Sequence, residues 1–339
     1  MKIEQKIAAE IFEYMEDGVS ASDLSDMLNA LYNVDLSPEV IGIAYKKMKS
    51  GLKKIKVPEM ELDMSNPHIR KVTKKVQFLD IETSLIEARV FRTGKQNINA
   101  DQLTGTTRIL TVAGGSMYDL YTKGEAGIWG HSNHHNLSTF NEDPLDDTFV
   151  LRKIWNILDK ADTIVAHNAR FDKGWLLGRF LELGWKLPSK FSVVCTFQNL
   201  GAFNMTSKKL DELSKNLIGT EKIPTDISLW MRCSDGDMSA FEEMLRYNKG
   251  DIFDTLFKVY MRTAQYTPES CVDLTDYSVE IPQCKVTGDQ LVMEPKRFLN
   301  RTNGLKYFVY KNINNGLQYV DRYNVNSKKA NIGLIKPHR

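Results

Sequence analysis

Apolar residues in the first fifty positions recur at helical spacing. Ile7, Ile11, Tyr14 and Met15 share one face of a helix that stops near Asp17-Gly18. Ser20 or Ser22 caps a second helix, which turns Leu24, Met27, Leu28 and Leu31 inward. Ser37-Pro38 opens a third, with Ser at the cap and Pro in the first turn, ahead of Val40, Ile41, Ile43, Ala44 and Met48. Residues 1–56 are therefore expected as a small helical module, either a helix-turn-helix unit that binds nucleic acid or a partner, or a plain helical appendage. Residues 57–74 carry two prolines and no clear period, and read as a linker. From Lys75 short strands alternate with helices. Strands are expected over Val76–Glu82, Arg108–Gly115, Ala126–His131 and Thr163–Ala166, with helices over Pro144–Lys160 and Phe171–Leu183. This order predicts an α/β domain with a mixed sheet flanked by helices.

Charge adds a division that the pattern does not. The 339 residues hold 45 Lys+Arg and 43 Asp+Glu, for a formal net charge of +2. Residues 1–75 carry 12 basic and 12 acidic side chains, residues 76–284 carry 22 and 28, and residues 285–339 carry 11 and 3. An acidic middle beside a basic end fits a carboxylate-rich chemical centre with a separate grip on a polyanion, although a solvated basic tail has the same composition. Six lysines and no acid between Lys46 and Lys56 allow a solvated face or a phosphate contact. No apolar stretch is long enough to span a bilayer, so no membrane association is expected. The N-terminus lacks the apolar core of a signal peptide, and Cys195, Cys233, Cys271 and Cys284 are too scattered for a disulfide framework. A reducing, cytoplasmic compartment is the expectation.

The most informative residues are Phe78-Leu79-Asp80-Ile81-Glu82-Thr83. On a strand Asp80 and Glu82 share one face, about 7 Å apart, while Leu79 and Ile81 face the other way. Two acids side by side in an apolar setting each need a partner, and a hard divalent cation supplies one to both. Alone, the pair also fits an edge strand with a solvated acidic face. Ala166-His167-Asn168-Ala169-Arg170-Phe171-Asp172 then puts Asp172 near the start of a helix that follows a strand's C-terminal end. In the helix expected from Met244 to about Ala264, Tyr247 and Asp251 are neighbours on one face.

In this order, D-x-E, N-x-x-F-D and Y-x-x-x-D resemble the three motifs of the DEDD exonuclease superfamily in its tyrosine-bearing, DEDDy branch. The branch includes the proofreading domain of family B DNA polymerases. Ser207-Lys-Lys-Leu-Asp-Glu-Leu-Ser-Lys-Asn-Leu-Ile-Gly219 also looks like the segment found there between the second and third motifs. The resemblance covers residues 75–265 and does not continue beyond about residue 270, where no polymerase module is evident. It implies a ribonuclease H-like sheet and two Mg²⁺ or Mn²⁺ ions held by Asp80, Glu82, Asp172 and Asp251, whose formal −4 would match +4. It also implies that Tyr247 orients the attacking water. By the same resemblance Thr83, Asn168 and Phe171 would contact substrate, and the activity would be 3′→5′ hydrolysis of single-stranded DNA. RNA is the closest rival substrate. A nucleic-acid-binding regulator built on a nuclease scaffold is the alternative from another class; partner proteins are not indicated.

Several features stand outside the carboxylate and tyrosine positions. Glu87–Gly105 reads as a polar loop near the site that either shapes the substrate channel or is a surface insertion. His131-Ser-Asn-His134-His135 reads as a polar loop rather than a metal site. His167 either approaches the scissile region or is a core histidine bonded to backbone. Phage-type exonucleases of this layout often end in a small zinc ribbon. Residues 269–339 have the length and basic β-rich character of such a unit without its four ligands. Lys306, Tyr307 and Tyr310 there suit a stack-and-phosphate contact with unpaired nucleotides, unless the aromatics pack on one another. Lys306–Tyr310 and Leu317–Tyr323 around Asn314-Asn-Gly316 predict a hairpin.

Overall fold

The structure, a computed structural model, describes residues 11, 14–15, 18–32, 34–52, 59–95, 97–130, 143–220, 222–300, 306–324 and 336–337. Most of the first expected helix and the whole His131–His135 cluster lie outside the described residues. The chain divides into two compact units, Met1–Pro58 and Glu59–Arg339. Among the described residues no helix is long and apolar enough to cross a membrane.

In the first unit the Ser20 hydroxyl accepts from the Asp23 N–H (3.2 Å), which makes Ser20 the cap of the helix Ala21–Tyr32. Ser37 accepts from the Val40 N–H (3.4 Å) at the start of the helix Pro38–Leu52. Ile11, Leu24, Leu28, Leu36 and Ile41 form the core. Asn29 clamps the connection by accepting from the Leu36 N–H (2.8 Å) and donating to the Leu36 carbonyl (3.1 Å). Of the apolar residues in this helix Ile43 is exposed, because Ile41 and Ala44 occupy the inward positions of that turn.

The second unit opens with a correction. Residues 59–75 are no linker: Met60, Leu62 and Ile69 are buried in the main core, and Pro67–Lys75 is a helix. Asn66 caps that helix, accepting from the His68 N–H at 2.9 Å, and Pro67 holds the first position, where a missing N–H costs nothing. The Arg262 guanidinium reaches back to Glu59 at 2.7 Å.

The helices cover a five-stranded mixed sheet in the order β3-β2-β1-β4-β5. Strands β1 (Val76–Thr83), β2 (Ile109–Ser116) and β3 (Gly127–Gly130) run antiparallel to one another. β4 (Thr163–Ala166) pairs parallel with β1, and β5 (Ser192–Cys195) parallel with β4. Alternation along β1 builds two layers. Leu79 and Ile81 pack under the helices Thr148–Leu158 and Arg170–Glu182, with Ile154, Leu176 and Phe180. On the other face Phe78 meets Phe257 and Tyr260 edge-on at 5.2 and 5.3 Å. Those rings belong to a long helical run comprising Met238–Gly250, a π-helical stretch Asp251–Phe257, and Lys258–Thr263. A side chain at Gly130 would meet Leu245 of this run at 2.7 Å, so glycine lets the helix approach β3.

The basic tail is not a separate module. Cys271, Val272, Leu274, Cys284, Val286, Leu291 and Tyr319 belong to the same core cluster as Phe78 and Tyr260. The Tyr260 hydroxyl also accepts from the Val272 N–H (3.1 Å). Composition marked a boundary there, but apolar residues scattered among the charges tie the segment down. A second sheet, in the order β6-β7-β8-β9, follows with β6 Val292–Asn300, β7 Lys306–Lys311, β8 Gln318–Asn324 and β9 Lys336–Pro337. The expected hairpin is β7–β8, closed at Gly316 with φ of +75°. Cys271 and Cys284 are free thiols in the packing, and Cys284 Sγ lies 3.0 Å from the Tyr319 hydroxyl.

Candidate metal centre

Asp80 and Glu82 stand on the outer half of β1, on the face that begins with Val76 and Phe78. Beyond Glu82 the pairing of β1 with β2 slips by one residue, from Glu82–Thr111 to Thr83–Ile109. Such an irregularity re-aims the end of a strand. The helical run that covers this face brings Asp251 to the two acids. Asp251 sits where α-helix passes into the wider π-helical turn, a geometry frequent at functional sites. Ligand oxygens of Asp80, Glu82 and Asp251 all lie within 4.8 Å of one another.

Asp172 arrives from the opposite layer. It lies in the first turn of Arg170–Glu182, is 3% exposed, and accepts the Ile81 N–H at 3.1 Å. The turn that delivers it is tight: Asn168 takes the left-handed region at φ of 60°, and its carbonyl accepts the Phe171 N–H at 2.8 Å. Asparagine tolerates this conformation better than most residues.

Four carboxylates, Asp172 and Asp251 buried and Asp80 and Glu82 half-buried, here face the Lys222 ammonium. Burial, then the charges of Asp172, Glu82 and Asp251, push Asp80 far above the usual carboxylate range. Burial and Asp251 push Glu82 up to about 8, and burial raises Asp172 to about 7. Burial also raises Asp251, although Lys222 pulls against it. The Lys222 ammonium lies 2.7 Å from Asp251 Oδ2 and 3.4 Å from the Tyr247 hydroxyl, with its charge over the Tyr247 ring. Burial lowers Lys222, but the Asp251 carboxylate outweighs it and keeps the ammonium protonated. Tyr247 is raised to about 12, first by burial and then by Asp251.

Three side chains absent from the sequence reading complete the centre. Lys222 is one. Asn248 donates to Asp80 Oδ2 at 2.5 Å and accepts from the Thr111 hydroxyl at 3.2 Å, fixing Asp80 in one orientation. Trp230 donates its indole N–H to Glu82 Oε2 at 3.2 Å and stands edge-on to Tyr247 at 5.8 Å. Asn248 adjoins Tyr247 in the helix, a position that a search for partners of Asp80 would have reached. Lys222 and Trp230 carry no motif.

The remaining candidates spread outward. Asn168, Arg170, Phe171, Gly174 and Trp175 line an open groove beside the helix that carries Asp172, and Phe171 and Trp175 meet edge-on at 6.4 Å. Thr83 is half-buried at the end of β1. His167 is the core histidine of the two readings. Its Nε2 lies 2.9 Å from the Lys208 carbonyl, which can only accept, and its Nδ1 lies 2.8 Å from the Thr196 hydroxyl. Burial lowers it to about 4, so it is neutral. Tyr307 and Tyr310 lie in β7 of the second sheet, together with Lys306, whose side chain lies outside the description. Tyr310 packs against the main core.

The donor set fits a hard divalent cation. It is all carboxylate oxygen, with Asp80, Glu82 and Asp251 within 4.8 Å of one another, and electrostatically unfavourable with Lys222 as the cation that the described residues bring to it. Among the described residues this is the group of three acids, histidines or cysteines close enough to hold a metal ion. No family model matches the chain, and no curated protein matches it in sequence.

Proposed function

We propose that the chain is a divalent-metal-dependent 3′→5′ exonuclease of the DEDDy type, built on a ribonuclease H-like sheet and acting on single-stranded DNA. The observation that carries this reading is the convergence of Asp80, Glu82 and Asp251 within 4.8 Å, with Asp172 bonded to the backbone between the first two. The strand order, three antiparallel strands followed by two parallel ones, also supports it.

Asp80, Glu82 and Asp251 would hold one Mg²⁺ or Mn²⁺, and Asp80 with Asp172 a second. Such ions make water more acidic and neutralise charge on a phosphate and its leaving oxygen. Tyr247, raised to about 12, stays protonated at neutral pH, so its hydroxyl orients the attacking water rather than deprotonating it. Lys222, held between Asp251 and Tyr247, fixes both side chains and adds positive charge beside the phosphate. Asn248 and Trp230 hold Asp80 and Glu82 in place by hydrogen bonds. The open groove of Asn168, Phe171 and Trp175 receives the terminal nucleotide, with an aromatic face for its base.

The test is hydrolysis of a 5′-labelled single-stranded DNA and its RNA counterpart with Mg²⁺, Mn²⁺ or EDTA, alongside Asp80→Ala. A ladder that shortens from the 3′ end, and is abolished by EDTA and by the substitution, is expected. Binding without cleavage under any metal would leave the regulator in its place.

A further inference from the structure

The segment between β1 and β2, expected as a polar loop, is exposed along most of its length and is tied together at its base. It is a finger whose stem continues the strand pair past the carboxylates. Ser84 N–H donates to the Arg108 carbonyl (2.8 Å), Thr104 N–H to Glu87 (3.0 Å) and Arg89 N–H to Gln102 (2.8 Å). Ala88 bridges Leu103 in antiparallel fashion, and Asn99 to Gln102 form a short capped turn on the returning side. Apolar side chains around the tip are turned to solvent: Val90 and Phe91 on the outgoing side, with Phe91 104% exposed, and Ile98 on the returning side.

The chemistry of this tip is one-sided. Between Ala88 and Ala100 stand Arg89, Arg92 and Lys95, with no acid. An aromatic ring flanked by arginines is the combination that stacks on an unpaired base while cations meet the phosphates on either side. Its place suits the same ligand. The stem leaves the sheet two residues beyond Glu82, and Phe91 follows Glu82 by nine residues, so at ~3.3–3.6 Å per residue its backbone is within about 30 Å of that carboxylate. A 15-nucleotide strand exceeds that distance even at the ~3.4 Å per nucleotide of a stacked strand.

We infer that this finger is a second substrate contact. Phe91 stacks on a base, and Arg89, Arg92 and Lys95 hold phosphates of the single strand upstream of the 3′ end that enters the carboxylate site. The inference rests on the nuclease reading for its direction, but its test does not need cleavage.

Fluorescence anisotropy with a single-stranded 15-nucleotide DNA in EDTA compares the full chain with Phe91→Ala and with an Arg89→Ala/Arg92→Ala double variant. Both sites are exposed, so the fold is kept. Phe91→Ala is expected to weaken binding about tenfold, as loss of one base stack does. The arginine variant should weaken binding and reduce the slope of log affinity against log salt by about 1.4, two phosphates at ~0.7 each. Hydrolysis of a dinucleotide with Mn²⁺, which offers a single nucleotide upstream of the cleaved bond, should be unchanged in both. Unchanged binding of the 15-mer in both variants overturns the inference. So does an equal loss on the dinucleotide, or a self-association that Phe91→Ala abolishes while DNA binding persists. If the unaltered chain cleaves neither DNA with any metal, the nuclease reading fails, and the binding comparison still decides the finger.

Discussion

Asp147 and Asp172 are aspartates at the starts of neighbouring helices, 0% and 3% exposed, yet the protein treats their charges in opposite ways. Asp147 is saturated. It accepts from Arg179 Nε and Nη2 at 2.9 and 2.8 Å and from the Ile109 N–H at 2.9 Å, and Arg108 stands 4.0 Å away. Asp172 accepts backbone N–H groups, that of Ile81 and its own, and shares the centre with the carboxyls of Asp80 and Glu82, toward which the described residues bring the Lys222 ammonium. A buried charge that the chain fully pairs holds structure together. A group of carboxyls with too little positive charge beside it keeps its protons until a ligand of opposite sign replaces them.

The sharpest way to separate the two is to remove a charge from each. Asp80→Asn should lower hydrolysis of single-stranded DNA at least ~10³-fold, the worth of several kcal/mol of lost charge stabilisation. In metal-free buffer the same variant should melt at a higher temperature, because one repelling, desolvated carboxylate is gone. Arg179→Met should do the reverse. It strands Asp147, costs about 3–5 kcal/mol by chemical denaturation with or without divalent cation, and leaves activity per folded molecule intact. If Asp80→Asn unfolds the protein and Arg179→Met is silent, the comparison is broken.

A smaller effect is expected one step back from the acids. Asn248→Ala frees Asp80 to rotate and should weaken Mn²⁺ affinity or turnover ~10–100-fold, as loss of a ligand's hydrogen-bond partner does, with little change in melting temperature.

The smallest effect is a pH slope. Glu82 and Asp172 bind protons more tightly in the folded chain, at about 8 and about 7, than when unfolded, near ~4. Their contribution to metal-free stability is whole below pH ~4 and disappears as pH rises through 7 to 8. His167, lowered to about 4 by burial, has the opposite sign and costs stability as pH falls from ~6.5 towards 4. Melting temperature of the EDTA-treated protein should therefore decline between about pH 6 and 8. Added Mg²⁺ or Mn²⁺ should flatten that decline, and a decline that the metal leaves untouched would count against the account.

Much of this was legible in the chain. Thr163–Ala166 is a strand with the expected bounds, and the period of two along Phe78–Glu82 separated the acids from Leu79 and Ile81. Tyr247 and Asp251 met because helical spacing is local. What escaped depended on long-range placement. Trp230 reaches Glu82 across 148 positions and Asn248 reaches Asp80 across 168, and no local pattern encodes either contact. The strand β5 is as short as β4 but buried only at Val194 and Cys195, so it lacks the continuous buried run that β4 has. The helix Pro67–Lys75 is marked by Asn66-Pro67, a cap followed by a first-turn proline, but two prolines within ten residues equally suit a linker. The finger was judged polar from its average composition, which hid Phe91 among arginines.

The central claim is that the four carboxylates form a cation site that holds protons until a metal replaces them. Calorimetric titration of Mn²⁺ into the chelator-stripped protein at pH 7, repeated in two buffers of different ionisation enthalpy, tests it directly. Saturable binding with a buffer-dependent heat that reports proton release, both lost in Asp80→Asn, is the predicted result. No binding, or binding that Asp80→Asn leaves unchanged, would contradict it.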